Sequence, residues 1–171
     1  KMKKVFFFIS VLAFVACTAP ELAENIVVVK ERVGYAGDGG KVGIGSQASV
    51  DLIVGLDEAW QKYDTAAMSQ FLSESAKFNF DDGNSVEGAE SFLKIVTQQA
   101  SKDTSYTWNM FYAFAVNSET DTLGGDWVNA GFNVDGTYEG EVVEKVTYNE
   151  WYYVLDGKVT NWSSHKRKRN D

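Results

Sequence analysis

The spacing of apolar residues along the chain predicts three helices near the start of the folded body. From about Ser49, apolar side chains recur every three or four residues, which is the period of one helix face. The members of this face are Ile53, Leu56, Trp60, Tyr63 and Ala67. Residues 68–72 extend the pattern as a second short helix, and residues 89–100 return to helical spacing.

Alternating apolar and polar residues predict strands over the rest of the body. Ala76, Phe78 and Phe80 alternate with polar residues, and Asp82-Gly83 follows as a hairpin turn. Longer alternating segments then cover about 104–117, 126–134, 142–155 and 159–164. This order predicts an α+β domain, in which a curved, cone-shaped antiparallel sheet packs on three N-terminal helices. Such a cone leaves a cavity of the kind that holds apolar ligands.

The N-terminus predicts export. Lys3 and Lys4 precede an apolar run, Val5–Ala16, that is too short to span a bilayer but fits the apolar core of a signal peptide. The following Phe14-Val15-Ala16-Cys17 resembles the lipobox of bacterial lipoproteins, although Phe14 departs from the usual aliphatic residue. The resemblance implies a signal peptide over 1–16, a lipid on Cys17, and attachment to a membrane of the bacterial cell envelope. The alternatives are cleavage near Ala19 or Ala23, giving a secreted or periplasmic protein, and a segment that stays uncleaved as an anchor.

Residues 17–47 are predicted to be a linker between the lipidated cysteine and the domain. The stretch GYAGDGGKVGIGS, residues 34–46, has six glycines but lacks the Gly-Lys-Ser/Thr ending of a phosphate-binding loop. We interpret it as a flexible segment or a loose edge hairpin. The domain itself is assigned to residues 48–165, followed by a basic tail over 166–171 that is expected to be frayed.

Composition excludes several classes of function. The net charge of −8 disfavours nucleic acid as a partner, because phosphate binding needs clustered lysine and arginine. The chain has one cysteine and one histidine, so neither a disulfide within the chain nor a zinc site of the His/Cys type is expected. The sequence predicts no metal and no other cofactor.

The body resembles the nuclear transport factor 2-like superfamily, in its SnoaL-like branch. The matching stretches are AWQKYDTAAMSQFLSESAKFNFDDGNSVEGAESF, GGDWV, GTYEG and YNEWYYVLDGKVTNW. The resemblance implies a cone-shaped α+β barrel, often dimeric. The superfamily includes ketosteroid isomerase, scytalone dehydratase, limonene epoxide hydrolase and polyketide cyclases, besides members without known chemistry. The fold therefore does not decide the function.

Comparison with ketosteroid isomerase gives two candidate acid–base residues. The acid of its oxyanion hole falls on Glu150, and its catalytic base falls near Phe80, with Asp81 adjacent. Its tyrosine falls near Leu56, which has no hydrogen-bond donor. A slip of one residue would place Asp81 on the opposite face of the strand. The catalytic set is thus incomplete.

Aromatic residues supply candidate walls for the cavity, with ordinary core packing as the alternative. The candidates are Trp60, Phe80, Trp108, Met110, Tyr112, Phe114, Tyr148 and Tyr152. Residues 142–155 are aromatic on both faces of the predicted strand, so the sequence leaves open which face points into the cavity. In one orientation, Tyr148, Glu150 and Tyr152 point inward; in the other, Trp151 and Tyr153 do.

Three hypotheses about function follow. The first is a membrane-anchored lipoprotein whose domain binds a small apolar or amphipathic ligand without turnover. The second is an isomerase, lyase or hydrolase that uses Glu150, together with Asp81. The third is a dimeric interaction module that buries aromatic residues such as Trp151 and Tyr153 on the outer face of its sheet.

Overall fold

The computed structural model describes residues 32–102 and 104–170. The predicted signal peptide, Cys17 and the first half of the predicted linker lie outside the described residues. Within the described ranges, no helix combines the length and the apolar character that a bilayer crossing requires.

Helices and strands follow the predicted order, including the predicted hairpin through Asp82-Gly83, with one additional short strand, Val42–Ile44, at one edge of the sheet. The strands are β1 (Val42–Ile44), β2 (Leu72–Asn79), β3 (Ser85–Glu87), β4 (Ser105–Ser118), β5 (Asp126–Tyr138), β6 (Glu141–Leu155) and β7 (Lys158–Lys168). The helices are α1 (Gln47–Gln61), α2 (Thr65–Ser69) and α3 (Ala89–Ala100). Residues 70–72, predicted as helix, instead leave α2 and enter β2 at Leu72.

The strands form one curved, open sheet in the order β1-β4-β5-β6-β7-β2-β3. Strands β4 to β7 make the predicted antiparallel meander. Strand β2 instead pairs in parallel with β7, where Phe78 lies opposite Trp162. This parallel pairing is possible because α3 and three long strands connect the two, whereas a short turn permits only an antiparallel pair.

The core lies between the concave face of the sheet and the helices. Helix α1 contributes Ile53 and Leu56, and α3 contributes Phe92 and Val96, all at most 2% exposed. The Phe92 ring stacks on the Phe78 ring of β2, with centroids 3.9 Å apart. Apolar burial of this kind is the main favourable term in folding, and it fixes α3 against the sheet.

A β-bulge in β4 reverses the direction of two side chains that were predicted to line the cavity. Met110 pairs with Phe132 on β5, but Tyr112 pairs with Gly131, so one extra residue, Phe111, is inserted. The Tyr112 ring then covers Gly131 on the outer face, where a Cβ would lie 2.3 Å from the ring. The prediction that Tyr112 and Phe114 line the cavity is therefore wrong, and Phe114 is 46% exposed.

Two predicted flexible segments include strand residues. Strand β1 falls inside the predicted linker and pairs with the end of β4, Ile44 lying opposite Val116. The predicted frayed tail differs from the structure as well, because β7 continues to Lys168 and Arg169 forms an ion pair with Asp135. The basic residues thus extend β7 along β6 instead of leaving the domain.

The start of α1 is fixed by a buried carboxylate. Ser46 is the N-cap residue, and its hydroxyl accepts a hydrogen bond from the Ser49 amide. Asp126 at the start of β5 accepts hydrogen bonds from the Ser46 amide at 2.9 Å and from the Ser46 and Ser49 hydroxyls at 2.6 and 2.7 Å. Burial raises the pKa of Asp126, but these hydrogen bonds together outweigh it and leave the pKa below its usual value.

We expect Asp126→Asn to lower the free energy of unfolding at pH 7 by on the order of 2 kcal/mol, because hydrogen bonds to a charged acceptor are lost. A carboxylate with a lowered pKa stabilises the folded state above its unfolded pKa and stops doing so as pH falls through its folded pKa. The deficit of the variant should therefore shrink in acid. Urea unfolding measures this loss of stability, with Asp51→Asn on the exposed face of α1 as the control. Equal stability of the two variants at pH 7 would contradict the role of Asp126 at the start of α1.

Candidate functional site

A cavity of about 410 Å³ opens between the helices and the concave face of the sheet. Eight of the twenty residues that line it are aromatic, because inward positions of α1, α3, β4, β6 and β7 carry large rings. The aromatic residues that line it are Trp60, Tyr63, Phe80, Phe92, Tyr106, Trp108, Tyr148 and Trp162. The volume falls in the range of small-molecule sites.

The aromatic rings contact one another and form a continuous wall. Trp108 stacks on Tyr148 with centroids 5.3 Å apart, and Trp60 lies 6.1 Å from Trp108. Phe80 meets Trp162 edge to face at 5.4 Å. Mutual packing limits the rotamers of these side chains, so the wall has a defined shape before any ligand enters.

Glu150 forms the floor of this cavity. On the sheet it lies between Ala130 of β5 and Ser164 of β7, both of which are buried on the concave face. Tyr148 and Tyr152 therefore also point inward, whereas Trp151 points outward and contacts Phe114. The sequence left two orientations of this strand open, and the structure has the one in which Glu150 points into the cavity. Glu150 is 3% exposed.

The two oxygens of the Glu150 carboxyl group have different surroundings. Oε2 accepts hydrogen bonds from Trp162 Nε1 at 3.0 Å and from the Tyr152 hydroxyl. No described residue donates to Oε1. The Ser164 hydroxyl, on the neighbouring strand, is buried and has no hydrogen-bond partner among the described residues. The Ser164 hydroxyl nevertheless lowers the pKa of Glu150, so it interacts with the same carboxyl group, and the pair keeps acceptor capacity for a ligand.

Burial raises the pKa of Glu150 from its usual 4.5 to about 7. The hydrogen bonds from Tyr152 and Trp162 lower it, and the negative charge of Asp57 on α1 raises it, but removal from water is the largest effect. At neutral pH the neutral and the charged form therefore have similar populations. Such a group both donates and accepts hydrogen bonds within one pH unit of neutrality.

Ionic contacts surround the mouth of the cavity. Lys166 Nζ on β7 lies 3.2 Å from Asp81 and 3.8 Å from Glu144, and 5.9 Å from the centroid of the Tyr148 ring. Because β2 ends at Asn79, Phe80 and Asp81 belong to the following turn, where strand alternation no longer separates them. Both consequently line the cavity.

Solved structures share the fold of this chain. A putative ketosteroid isomerase from Kribbella flavida superposes with a TM-score of 0.58 at 9% identity, over 75% of this chain and 84% of its own. A putative polyketide cyclase from Silicibacter gives 0.55 at 20% identity, over 71% and 90%. A nuclear transport factor 2-like protein from Cytophaga hutchinsonii gives 0.51 at 17% identity, over 72% and 100%.

The chain has the nuclear transport factor 2-like fold. No protein-family model matches the sequence, and no curated protein matches it. At these identities the nuclear transport factor 2-like structures establish the fold alone, so the chemistry has to be argued from the cavity residues.

The predicted wall residues divide into four groups within this nuclear transport factor 2-like cone. Trp60, Phe80, Trp108 and Tyr148 line the cavity. Tyr152 lies beneath it, in a narrow space of about 10 Å³ that Glu150 and Asp57 share. Met110 points inward but packs against the core and does not line the cavity, and Tyr112 and Phe114 lie outside because of the bulge.

Three residues that line the cavity were not predicted from the sequence: Trp162, Ser164 and Lys166. They alternate along β7, and the Asp156-Gly157 turn joins β7 to β6. Pairing the two strands through that turn alone would have placed Ser163 opposite Glu150, because the sequence does not reveal the register shift between Tyr153 and Val154 that brings Ser164 there instead. As for metals, no group of three His, Cys, Asp or Glu side chains within 32–102 and 104–170 is arranged to hold an ion.

Proposed function

We propose that the domain binds a small apolar or amphipathic molecule in the cone cavity without turning it over. The observation that carries this proposal is an aromatic cavity of about 410 Å³ whose buried floor holds a carboxyl group with one unengaged oxygen. Aromatic walls favour an apolar body through area burial, and a single polar group at the floor fixes its orientation.

The surroundings of Glu150 favour binding over turnover. The Tyr152 hydroxyl donates to Glu150 itself and so is not available to stabilise an oxyanion on a ligand. Leu56, near which the resemblance places the tyrosine of ketosteroid isomerase, is apolar and buried. Asp81 is paired with Lys166 at the mouth, so its carboxylate is held away from the floor.

Native mass spectrometry of protein purified from its own source tests ligand binding. We expect a bound small molecule on the unmodified protein and less of it on Ser164→Leu, because the larger side chain enters the cavity beside Glu150. Ser163→Leu is the matched control, since Ser163 pairs with Trp151 on the outer face. Repeated absence of any bound molecule, or equal loss in both variants, would contradict the proposal.

Acid–base catalysis by Glu150, with Asp81, is the second candidate function. The pKa of about 7 favours it, because general acids and bases work best when their pKa lies near the ambient pH. The solved structures described as a putative ketosteroid isomerase and a putative polyketide cyclase suggest the substrate classes to assay. Under this candidate, Glu150→Gln abolishes turnover while the fold persists; an unchanged rate would eliminate it.

We also propose that two copies of the domain associate through the outer face of the sheet. Phe111, Phe114 and Trp127 on that face are 52%, 46% and 36% exposed. Clusters of exposed aromatic side chains are typical of protein interfaces. Light scattering should give the mass of a dimer, and Phe114→Lys should shift it toward a monomer. A strict monomer for the unmodified protein would contradict this association.

Anchoring through Cys17 completes the proposed function and rests on the sequence. A lipid there would hold the acidic domain near a membrane of the cell envelope, because acyl chains supply the binding energy that its charge does not. Cys17→Ser should move the protein from the membrane fraction to the soluble fraction. Retention of the variant on the membrane would rule out the lipid as the anchor.

A further inference from the structure

We propose that the ligand of this cavity carries an organic cation, an ammonium group on an apolar body. The inference rests on the proposed function and names the charge of the ligand. Three independent features of the cavity support it: the faces of its aromatic rings, the balance of its charges, and the acceptors that are left open at its floor.

The ring faces offer favourable sites for a cation. Three of the five tryptophans of the chain, Trp60, Trp108 and Trp162, line the cavity, and tryptophan has the most favourable face for a cation. The Tyr148 ring already receives an ammonium group, since Lys166 Nζ lies 5.9 Å from its centroid. A ligand cation entering past the mouth would meet further rings of the same kind.

Charge at the cavity disfavours an anion. Four carboxyl side chains line it against two lysines; they are Asp81, Asp82, Glu144 and Glu150, against Lys102 and Lys166. Lys166 is already engaged by Asp81 and Glu144. An anionic ligand would approach surplus negative charge, whereas a cation would reduce it.

The open groups at the floor require donors. Tyr152 and Trp162 both donate to Oε2 of Glu150, and the buried Ser164 hydroxyl, which interacts with the same carboxyl group, can accept a hydrogen bond as well as donate one. A primary ammonium group has three donors, enough for both. An ionised carboxylate has none, and it would leave Oε1 facing a like charge.

A series of three ligands with the same chain and different head groups tests the inference. Octylamine, octanol and octanoate are titrated into the full chain by calorimetry at pH 8, where Glu150 is mostly ionised and an alkyl ammonium group remains charged. We expect octylamine to bind about tenfold more tightly than octanol, the size of one cation–π contact combined with an ion pair. Octanoate should bind most weakly.

Two variants assign the preference to the floor. Glu150→Gln keeps the shape of the side chain but removes its charge, so the ratio of octylamine affinity to octanol affinity should fall severalfold. Glu141→Gln, on the same strand but exposed and outside the cavity, should keep the full preference. Circular dichroism confirms that each variant is folded, and the head-group series on the unmodified protein does not depend on either variant.

The possible results separate this inference from the proposed function. Equal affinities of octylamine and octanol, or tightest binding of octanoate, would overturn the cation inference and leave ligand binding supported. A preference that survives Glu150→Gln unchanged would overturn the role of the carboxylate as counter-ion. Binding of none of the three would contradict both the inference and the proposed function.

Discussion

Glu150→Gln should make the domain more stable than the unmodified protein at pH 8 and should lose that advantage at pH 5. The folded-state pKa of Glu150 is about 7, above the usual 4.5. The folded protein therefore binds an extra proton between these values, and its stability falls as pH rises through them. The loss approaches about 3 kcal/mol above pH 7, at 1.36 kcal/mol per pKa unit. Glutamine stays neutral and avoids that loss.

Urea unfolding at the two pH values, on the unmodified protein and on Glu150→Gln, measures this difference. Asp57 on α1 raises the pKa of Glu150 through its negative charge, and the Tyr152 hydroxyl donates a hydrogen bond to Glu150. Both residues are therefore kept unchanged in this comparison. Glu141→Gln serves as the control and should show no such pH dependence. If Glu150→Gln differs from the unmodified protein by the same amount at both pH values, the carboxyl group is not held in a site that disfavours its charge.

A gain in stability on removing this charge would itself indicate function. Natural proteins seldom keep a destabilising buried carboxyl group unless the group is used. The apolar surroundings of Glu150 raise its energy in the ionised form, and a donor on a ligand would offset that cost. Ligand binding and the raised pKa are thus two consequences of the same burial.

Phe92→Ala should lower the free energy of unfolding by about 3–5 kcal/mol, the usual cost of truncating a buried aromatic residue to alanine. Phe92 is 1% exposed, stacks on Phe78 at 3.9 Å and meets Trp60 edge to face at 5.2 Å. It therefore joins α3, β2 and α1. A loss of this size is a large part of the stability of an ordinary domain, about 5–15 kcal/mol.

Urea unfolding of Phe92→Ala and of its neighbour Leu93→Ala makes the comparison. Leu93 is only half-buried, so its truncation should cost clearly less. A similar cost for the two variants, or a loss below about 1 kcal/mol for Phe92→Ala, would show that α3 is not fixed through the Phe78–Phe92 stack.

Much of the fold could be predicted from periodicity because burial repeats at regular intervals. Ile53 and Leu56 mark the inner face of α1, and Phe78 marks that of β2, as their spacing indicated. The bulge at Phe111 could not be predicted in this way. Phe111 is an exception to the alternation of this strand, but a single large apolar residue does not show an insertion, which is detected only through the pairing of Tyr112 with Gly131 on β5.

The site could be predicted only in part, for a similar reason. Glu150 was identified from a resemblance, but both faces of β6 are aromatic, so hydrophobicity did not choose between them. The pairing of β6 with β5 decides which face points inward, because it places Glu150 beside Ala130, which is fully buried. Asp81 was expected on the opposite face from Phe80, yet the strand ends before both, and strand alternation no longer applies there.

The Glu150 carboxyl group at the floor of the cavity should titrate near neutrality. A ¹³C NMR titration of its side-chain carboxyl carbon, with the signal assigned by its loss in Glu150→Gln, measures this. We expect a midpoint at about pH 7. A midpoint near the usual value of 4.5 would mean that the carboxyl group is solvated and is not held at the floor of a ligand cavity.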